Sequence, residues 1–188
     1  MTERPILFNG EMVRSILDGS KTQTRRVMKP QASTFAPSPI RCHELDEGGY
    51  GFFDEERDYK SPYGKPGDRL WVRETHYVFS AGYKDGRDRH IVYRATEPDA
   101  PCGWTPSIHM PRWASRITLE VVSVRVERVQ DISEADAASE GTPILQGGNR
   151  TEFRMLWDSI NAKRGYGWDA NPWVWVIEFS VQERQGND

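Results

Sequence analysis

The stretch Ile117-Thr118-Leu119-Glu120-Val121-Val122-Ser123-Val124-Arg125-Val126-Glu127-Arg128-Val129 decides the fold class of this chain. Apolar residues alternate with polar ones almost throughout, which predicts a long strand with one buried face. The alternation slips at Val122 and Ser123, the mark of a bulge or bend of the kind a sheet needs where a strand turns a corner. Downstream, Ser133 caps a short helix with Asp136 three residues on, and the helix ends near Glu140-Gly141. A second helix covers Thr151 to Ala162, with Phe153, Leu156, Trp157 and Ile160 on one face, and Trp173 to Val181 forms a closing strand. Upstream, Arg69 to Thr75 alternates with Leu70, Val72 and Glu74 on one face. Tyr77 to Phe79 and His90 to Ala95 form a hairpin around the polar turn Gly82 to Arg89. The chain opens with a strand at Ile6 to Phe8, a helix from Glu11 to Asp18 and a strand from Lys21 to Met28. Residues 30 to 66 are rich in Pro, Gly, Ser and charge, and predict an irregular insertion with one strand at Gly49 to Phe53. The expected fold is α+β, a small curved sheet or β-barrel flanked by short helices, in one domain over residues 1–188.

At 37% hydrophobic and 28% charged residues, the 188-residue chain has the composition of a soluble globular protein. No apolar run approaches the ~18 residues that would span a bilayer, so no membrane partner is expected. The start Met1-Thr2-Glu3-Arg4-Pro5 lacks the layout of a secretory signal, which places the chain in the cytoplasm with Cys42 and Cys102 as reduced thiols. Neither cysteine belongs to a metal-binding spacing, so neither a metal nor a cofactor is expected. A net charge of −3 speaks against a grip on long nucleic acid and fits a small ligand better.

The most polar chemistry lies in Gly19-Ser20-Lys21-Thr22-Gln23-Thr24-Arg25-Arg26. Gly19 suits the left-handed residue that ends a helix, and the β-branched residues after it read as extended. In a regular strand Thr22, Thr24 and Arg26 share one face, and Lys21, Gln23 and Arg25 the other. Lys21 and Thr24 then point apart, and converge only if Lys21 belongs to the turn or a bulge re-aims it. Two readings stand: a basic edge strand that resists aggregation, or a site. Glu74 on an apolar face requires a partner, and a structural pair with an arginine such as Arg26 competes with a catalytic role.

Seven tryptophans are many for this length. Trp157, Trp173 and Trp175 read as core, whereas Trp104, Trp113 and Trp168 fall in loop-like segments. Trp104 and Trp113 are candidates to stack on a base, a contact of about 1–3 kcal/mol. His109, in the run Ser107-Ile108-His109-Met110-Pro111-Arg112-Trp113, is a candidate for proton transfer, against the alternative of an ordinary surface or core histidine. Arg112 in the same run counts with them as a substrate-binding candidate.

The octapeptide from Gly19 to Arg26 resembles the GxKxx[E/T]xR signature of ASCH domains, a PUA-like family. The order of elements, the Gly67-Asp68 turn before Leu70-Trp71-Val72 and the ending from Arg164 to Phe179 are similar to the family over most of the chain, especially to its larger phage and prophage members. The resemblance implies a PUA-like barrel and a nucleoside, modified base or RNA as partner. Small bacterial members hydrolyse N4-acetylcytidine with a lysine and a threonine of the signature and a glutamate from the helix after the barrel strands. It therefore implies an amidohydrolase in which Lys21 and Thr24 are catalytic, with Glu140 as the acid and Glu74 as its competitor. A threonine becomes a nucleophile when a neutral lysine takes its proton, and either Arg26 or a backbone N–H is the candidate to steady the oxyanion. The alternatives are an RNA-binding or RNA-cleaving PUA-like module, or a phage accessory protein that recognises a modified base without chemistry.

Overall fold

The long alternating run becomes the strand around which the main sheet is organised, and its bulge falls where the alternation slips. The computed structural model describes residues 1–32, 38–46, 48–54, 57–80, 89–100, 103–142 and 147–182. In chain order the elements are β1 (Glu3–Leu7), α1 (Gly10–Leu17), β2 (Gln23–Val27), β3 (Ile40–Arg41), β4 (His43–Glu44), β5 (Tyr50–Phe53) and β6 (Asp58–Lys60). They continue with β7 (Arg69–Arg73), β8 (His76–Ser80), β9 (Arg89–Tyr93), β10 (Thr118–Arg128), α2 (Glu134–Ser139), α3 (Asn149–Asn161) and β11 (Trp173–Gln182). The turn expected between the hairpin strands β8 and β9, and Cys102, lie outside the described residues apart from Arg89 itself.

The main sheet runs β1-β7-β10-β11-β2, with β3 added to β10. Among the described residues of this sheet, β1 and β7 pair in parallel and the other ladders are antiparallel. Residues Thr118 to Glu120 of β10 pair with β7, whereas Arg125 and Val126 pair with β3. On its other edge β10 follows β11 throughout, with a register shift between Val121 and Ser123. That bulge lets one strand serve two neighbours along the same edge and adds local twist. The fold is α+β, and among the described residues no ladder joins β1 to β2. The two edges are linked instead by the Arg26 guanidinium, whose Nη2 donates to the Leu7 carbonyl.

β11 is buried on both faces, which explains why Trp173-Val174-Trp175-Val176-Ile177 reads as a continuous apolar run. Trp173, Trp175, Ile177 and Phe179 join the larger core with Val13 and Ile16 of α1, Leu70, Val72, Leu119 and Val126. Val174 and Val176 face the smaller core formed by Ala137 of α2, Phe153 and Trp157 of α3, and Trp168. Trp168, expected in a loop, is therefore a core residue.

The described residues between 30 and 66 form more regular structure than their composition predicts. β4, β5 and β6 form a three-stranded antiparallel sheet, and β3 joins the main sheet. Phe52 stacks on Tyr59 with ring centroids 4.8 Å apart and tilts onto Trp175 at 6.2 Å. Two aromatic anchors thus fasten a polar segment to the larger core, a signal too sparse for any periodicity to show. Cys42 lies in this segment as a free thiol, pushed up to about 12 by burial. Replacing Phe52 with Ala removes both contacts, and the expected loss is about 3–5 kcal/mol of stability by urea unfolding. A loss below about 1 kcal/mol would show that the segment contributes little to the core.

Candidate active site

Asn9 caps α1 by accepting from the Met12 N–H at 2.8 Å, and Gly19 then takes φ of 81° to turn the chain toward β2. Lys21 remains part of that turn. Its N–H donates to the Ser15 carbonyl at 2.8 Å, and it forms an isolated bridge with Glu140 instead of joining the ladder of β2. The next N–H, of Thr22, donates to the carbonyl of Ser139 at 2.9 Å. The end of α2 is thereby tied to the start of β2, and Lys21 is released from the pleat.

The Lys21 ammonium lies 2.8 Å from Oε2 of Glu140 and donates to the Glu140 main-chain carbonyl at 2.7 Å. Both residues are almost wholly buried, at 1% and 5% exposure. Burial lowers the pKa of Lys21 below its ordinary 10.5; Glu140 opposes that shift, and the nearby charges of Arg26 and Arg25 add to it. Gly141 makes room for the pair. It has φ of 75°, and a Cβ there would come within 2.9 Å of the Lys21 Cβ and 2.8 Å of that of Ser15.

The other Glu140 oxygen, Oε1, accepts from Arg25 Nη1 at 3.1 Å. Arg25 also donates from Nε to Glu127 at 2.9 Å, pairs with Glu127 through Nη2, and reaches Asp136 at 3.2 Å. Arg125 extends the network to Glu127, Asp136 and Glu178, and Gln23 bridges Asp136 and Glu178. These side chains share one face of β2, β10 and β11, under α2, because each strand presents alternate residues there.

β2 is an edge strand, and a cleft of about 290 Å³ lies along it. Thr24, Arg26 and Glu140 line it, together with Met12 of α1, Tyr63 of the 30–66 segment, and Trp157 and Ile160 of α3. Thr24 is 2% exposed and pairs with Ile177. The Met28 N–H bonds to Trp173 O and the Phe179 N–H to Thr22 O. In this register the backbone groups of Thr24 and Arg26 face β11, whereas those of Arg25 and Val27 face the open edge. The edge strand therefore offers main-chain donors beside the Thr24 hydroxyl.

Of the sequence-predicted site residues, Lys21 is paired with Glu140, and Thr24, Arg26 and Glu140 line one cleft. Glu74 is elsewhere: its carboxylate is held bidentately by Arg116, at 2.8 and 2.9 Å, and not by Arg26. That neutralises a buried carboxylate and leaves Glu140 as the acid beside Lys21. Arg112 pairs with Glu3 at 2.9 Å, and His109 is exposed in a short 3-10 turn. Trp104 is half-buried next to Thr105, which bridges to His76, and Trp113 is 50% exposed. None of Glu74, Trp104, His109, Arg112 and Trp113 is among the described lining residues of the cleft: Arg112 is engaged by Glu3 of β1, Glu74 by Arg116, and Thr105 beside Trp104 by His76 of β8. The residues that the sequence did not single out are Arg25, Glu127 and Asp136, which fix Glu140, and Tyr63. Polar residues at alternating positions of otherwise apolar strands were the available signal for Glu127. Tyr63 carried none. Among the described residues no group of three or more His, Cys, Asp or Glu is placed to hold a metal ion, and no helix is long and apolar enough to cross a membrane.

No protein-family model matches the chain, and no curated protein matches it. Among solved structures it is similar to a DUF984-family protein of Enterococcus faecalis V583, at 12% identity and a TM-score of 0.45, over 96% of this chain and 80% of that one. It is likewise similar to an ASCH domain from Lactobacillus crispatus JV V101, at 14% identity and a TM-score of 0.44, over 96% of this chain and 79% of that one.

Two outcomes follow from the buried lysine. A depressed folded-state pKa means that the unfolded chain binds the Lys21 proton more tightly, so the charged lysine's penalty is fully present below its folded pKa. It disappears as pH rises from that value toward the ordinary 10.5. Relative to Lys21→Met, the unmodified protein should gain stability with pH across that window in urea titrations; a parallel pair of curves would show an unshifted lysine. Gly141→Ala meets both a positive φ and the Lys21 side chain, and should cost at least about 1–2 kcal/mol by thermal unfolding.

Proposed function

We propose that the protein is an amidohydrolase that removes the acyl group from the N4 amine of a cytosine nucleoside of the N4-acetylcytidine type. The observation that carries this reading is the buried Lys21–Glu140 pair at 2.8 Å, with Glu140 and Thr24 lining one cleft. The resemblance of Gly19 to Arg26 to the ASCH signature supports the same assignment. A cleft of about 290 Å³ is at the small end of ligand pockets and suits a single nucleoside better than a polymer.

In the proposed reaction the neutral Lys21 amine accepts the Thr24 hydroxyl proton as Oγ1 attacks the acyl carbonyl carbon. The carbonyl oxygen becomes the oxyanion, which main-chain N–H groups of the β2 edge are suited to stabilise. Collapse breaks the C–N4 bond, the proton carried by Lys21 passes to the departing amine, and cytidine leaves. Water then attacks the Thr24 ester with Lys21 as base, releasing the carboxylic acid and restoring the hydroxyl. Glu140 holds the lysine in place through both steps. Its second oxygen is committed to Arg25, which limits how strongly Glu140 counters the neutralisation of Lys21.

The expected result is release of cytidine from N4-acetylcytidine, followed by chromatography. Lys21→Met, Thr24→Val and Glu140→Gln should each lower kcat by at least about 100-fold, the range for loss of a catalytic base or nucleophile. The rate should rise with pH through the depressed Lys21 pKa, because only the neutral amine acts as base. Absence of turnover by the unmodified protein excludes the hydrolase, and retention of labelled RNA with steep salt dependence would instead establish an RNA-binding module.

A further inference from the structure

The cleft carries more positive charge than its partners neutralise. Arg25, Arg26, Lys29 and Arg164 line it, and Glu140 is the acidic lining residue among those described. Glu140 is committed to Lys21 and Arg25, and Arg25 is further paired with Glu127 and Asp136. Among the described residues, Arg26, Lys29 and Arg164 have no carboxylate within ion-pair distance. This is a local excess of three cations on a chain whose net charge is −3.

Arg26 is the sharpest of the three. Its Nη2 donates to the Leu7 carbonyl and its guanidinium lies 4.9 Å from the Phe8 ring, but its Nε is buried with no acceptor. A buried donor on a charged group is costly to leave unmade, and an anion is the acceptor that satisfies it best. Lys29 and Arg164 stand at one end of the cleft: the Lys29 ammonium lies 5.1 Å from the ring of Tyr166, two residues beyond Arg164 across the left-handed turn at Gly165. Met12, Leu156 and Ile160 add apolar lining to the same cleft. A ligand matching both kinds of lining has a flat, weakly polar body and an anionic end.

We infer that the cleft takes a phosphorylated cytosine nucleotide in preference to the uncharged nucleoside, with Arg26, Lys29 and Arg164 binding the phosphate. This rests on the reading of the cleft as a cytosine site, and names the substrate class more narrowly. Guanidinium groups bind phosphate oxygens in pairs, so the phosphate also orients the base against the Thr24 end of the cleft.

The test is calorimetric titration of the protein with cytidine, cytidine 5′-monophosphate and inorganic phosphate, beside the double variant Lys29→Ala/Arg164→Ala. Both substituted side chains are exposed, so the fold should be kept. The monophosphate should bind at least about tenfold more tightly than cytidine at low salt, equivalent to about 1.4 kcal/mol. The double variant should lose that advantage and keep its affinity for cytidine. Equal affinities, an undiminished advantage in the variant, or binding of a short cytosine-containing RNA without binding of the monophosphate would each overturn the inference. Hydrolysis of N4-acetylcytidine with equal affinities would overturn the phosphate subsite alone. A monophosphate preference without any hydrolysis would overturn the amidohydrolase and leave the subsite standing.

Discussion

The cost of burying charge governs this structure. Lys21, Arg25, Glu127 and Glu140 are all withdrawn from water, and each is tolerable only while its partners are in place. Arg25 meets Glu127, Asp136 and Glu140 at once, so it joins β2, β10 and α2 through one planar fork. Removing one partner of such a group leaves the other uncompensated, at a cost of about 3–5 kcal/mol. The position of Glu140 beside Lys21 is therefore set by the whole network, and the end of α2 cannot shift without breaking it.

The apolar framework makes that network possible. β11 sends Trp173, Trp175 and Ile177 into the larger core, and Val174 and Val176 into the smaller one beneath the helices. Glu178 continues the second face and falls among the charged side chains. α3 packs its Phe153 and Trp157 over the smaller core and presents Leu156 and Ile160 to the cleft. Because β2 is the edge of the sheet, its outer backbone groups, Thr24 and the end of α2 meet in one accessible place. A central strand would have buried the same residues under another ladder.

Much of the fold was legible because β10, β11 and α3 carry dense periodic patterns. The slip at Val122 and Ser123 predicted the register shift of β10, and Ser133 with Asp136 predicted the cap of α2, where the serine accepts from the Asp136 N–H at 3.0 Å. The 30–66 segment was not legible, since its strands are two to four residues long and its attachment rests on Phe52 and Tyr59. The site was legible in part. The signature drew attention to Lys21, Thr24 and Arg26, and the helix end to Glu140. The aromatic-rich run from Trp104 to Trp113 drew attention for its composition, but composition carries no information about which end of a sheet a loop covers. The partner of Glu74 was likewise open, because Arg26 and Arg116 are equally good arginines until the chain is folded.

The sequence by itself determined the α+β class, the order and character of the principal strands and helices, and the residue types available for chemistry, because these depend on local periodicity and capping. The tertiary structure alone decided that Lys21 leaves the pleat to face Glu140, 119 positions along the chain. It also decided that Glu74 is bound by Arg116, and that Tyr63, Lys29 and Arg164 share a cleft with Thr24. Those outcomes depend on desolvation and on contacts between distant segments. The energy of a buried charge is fixed by what surrounds it in space, and neighbours in sequence do not specify that.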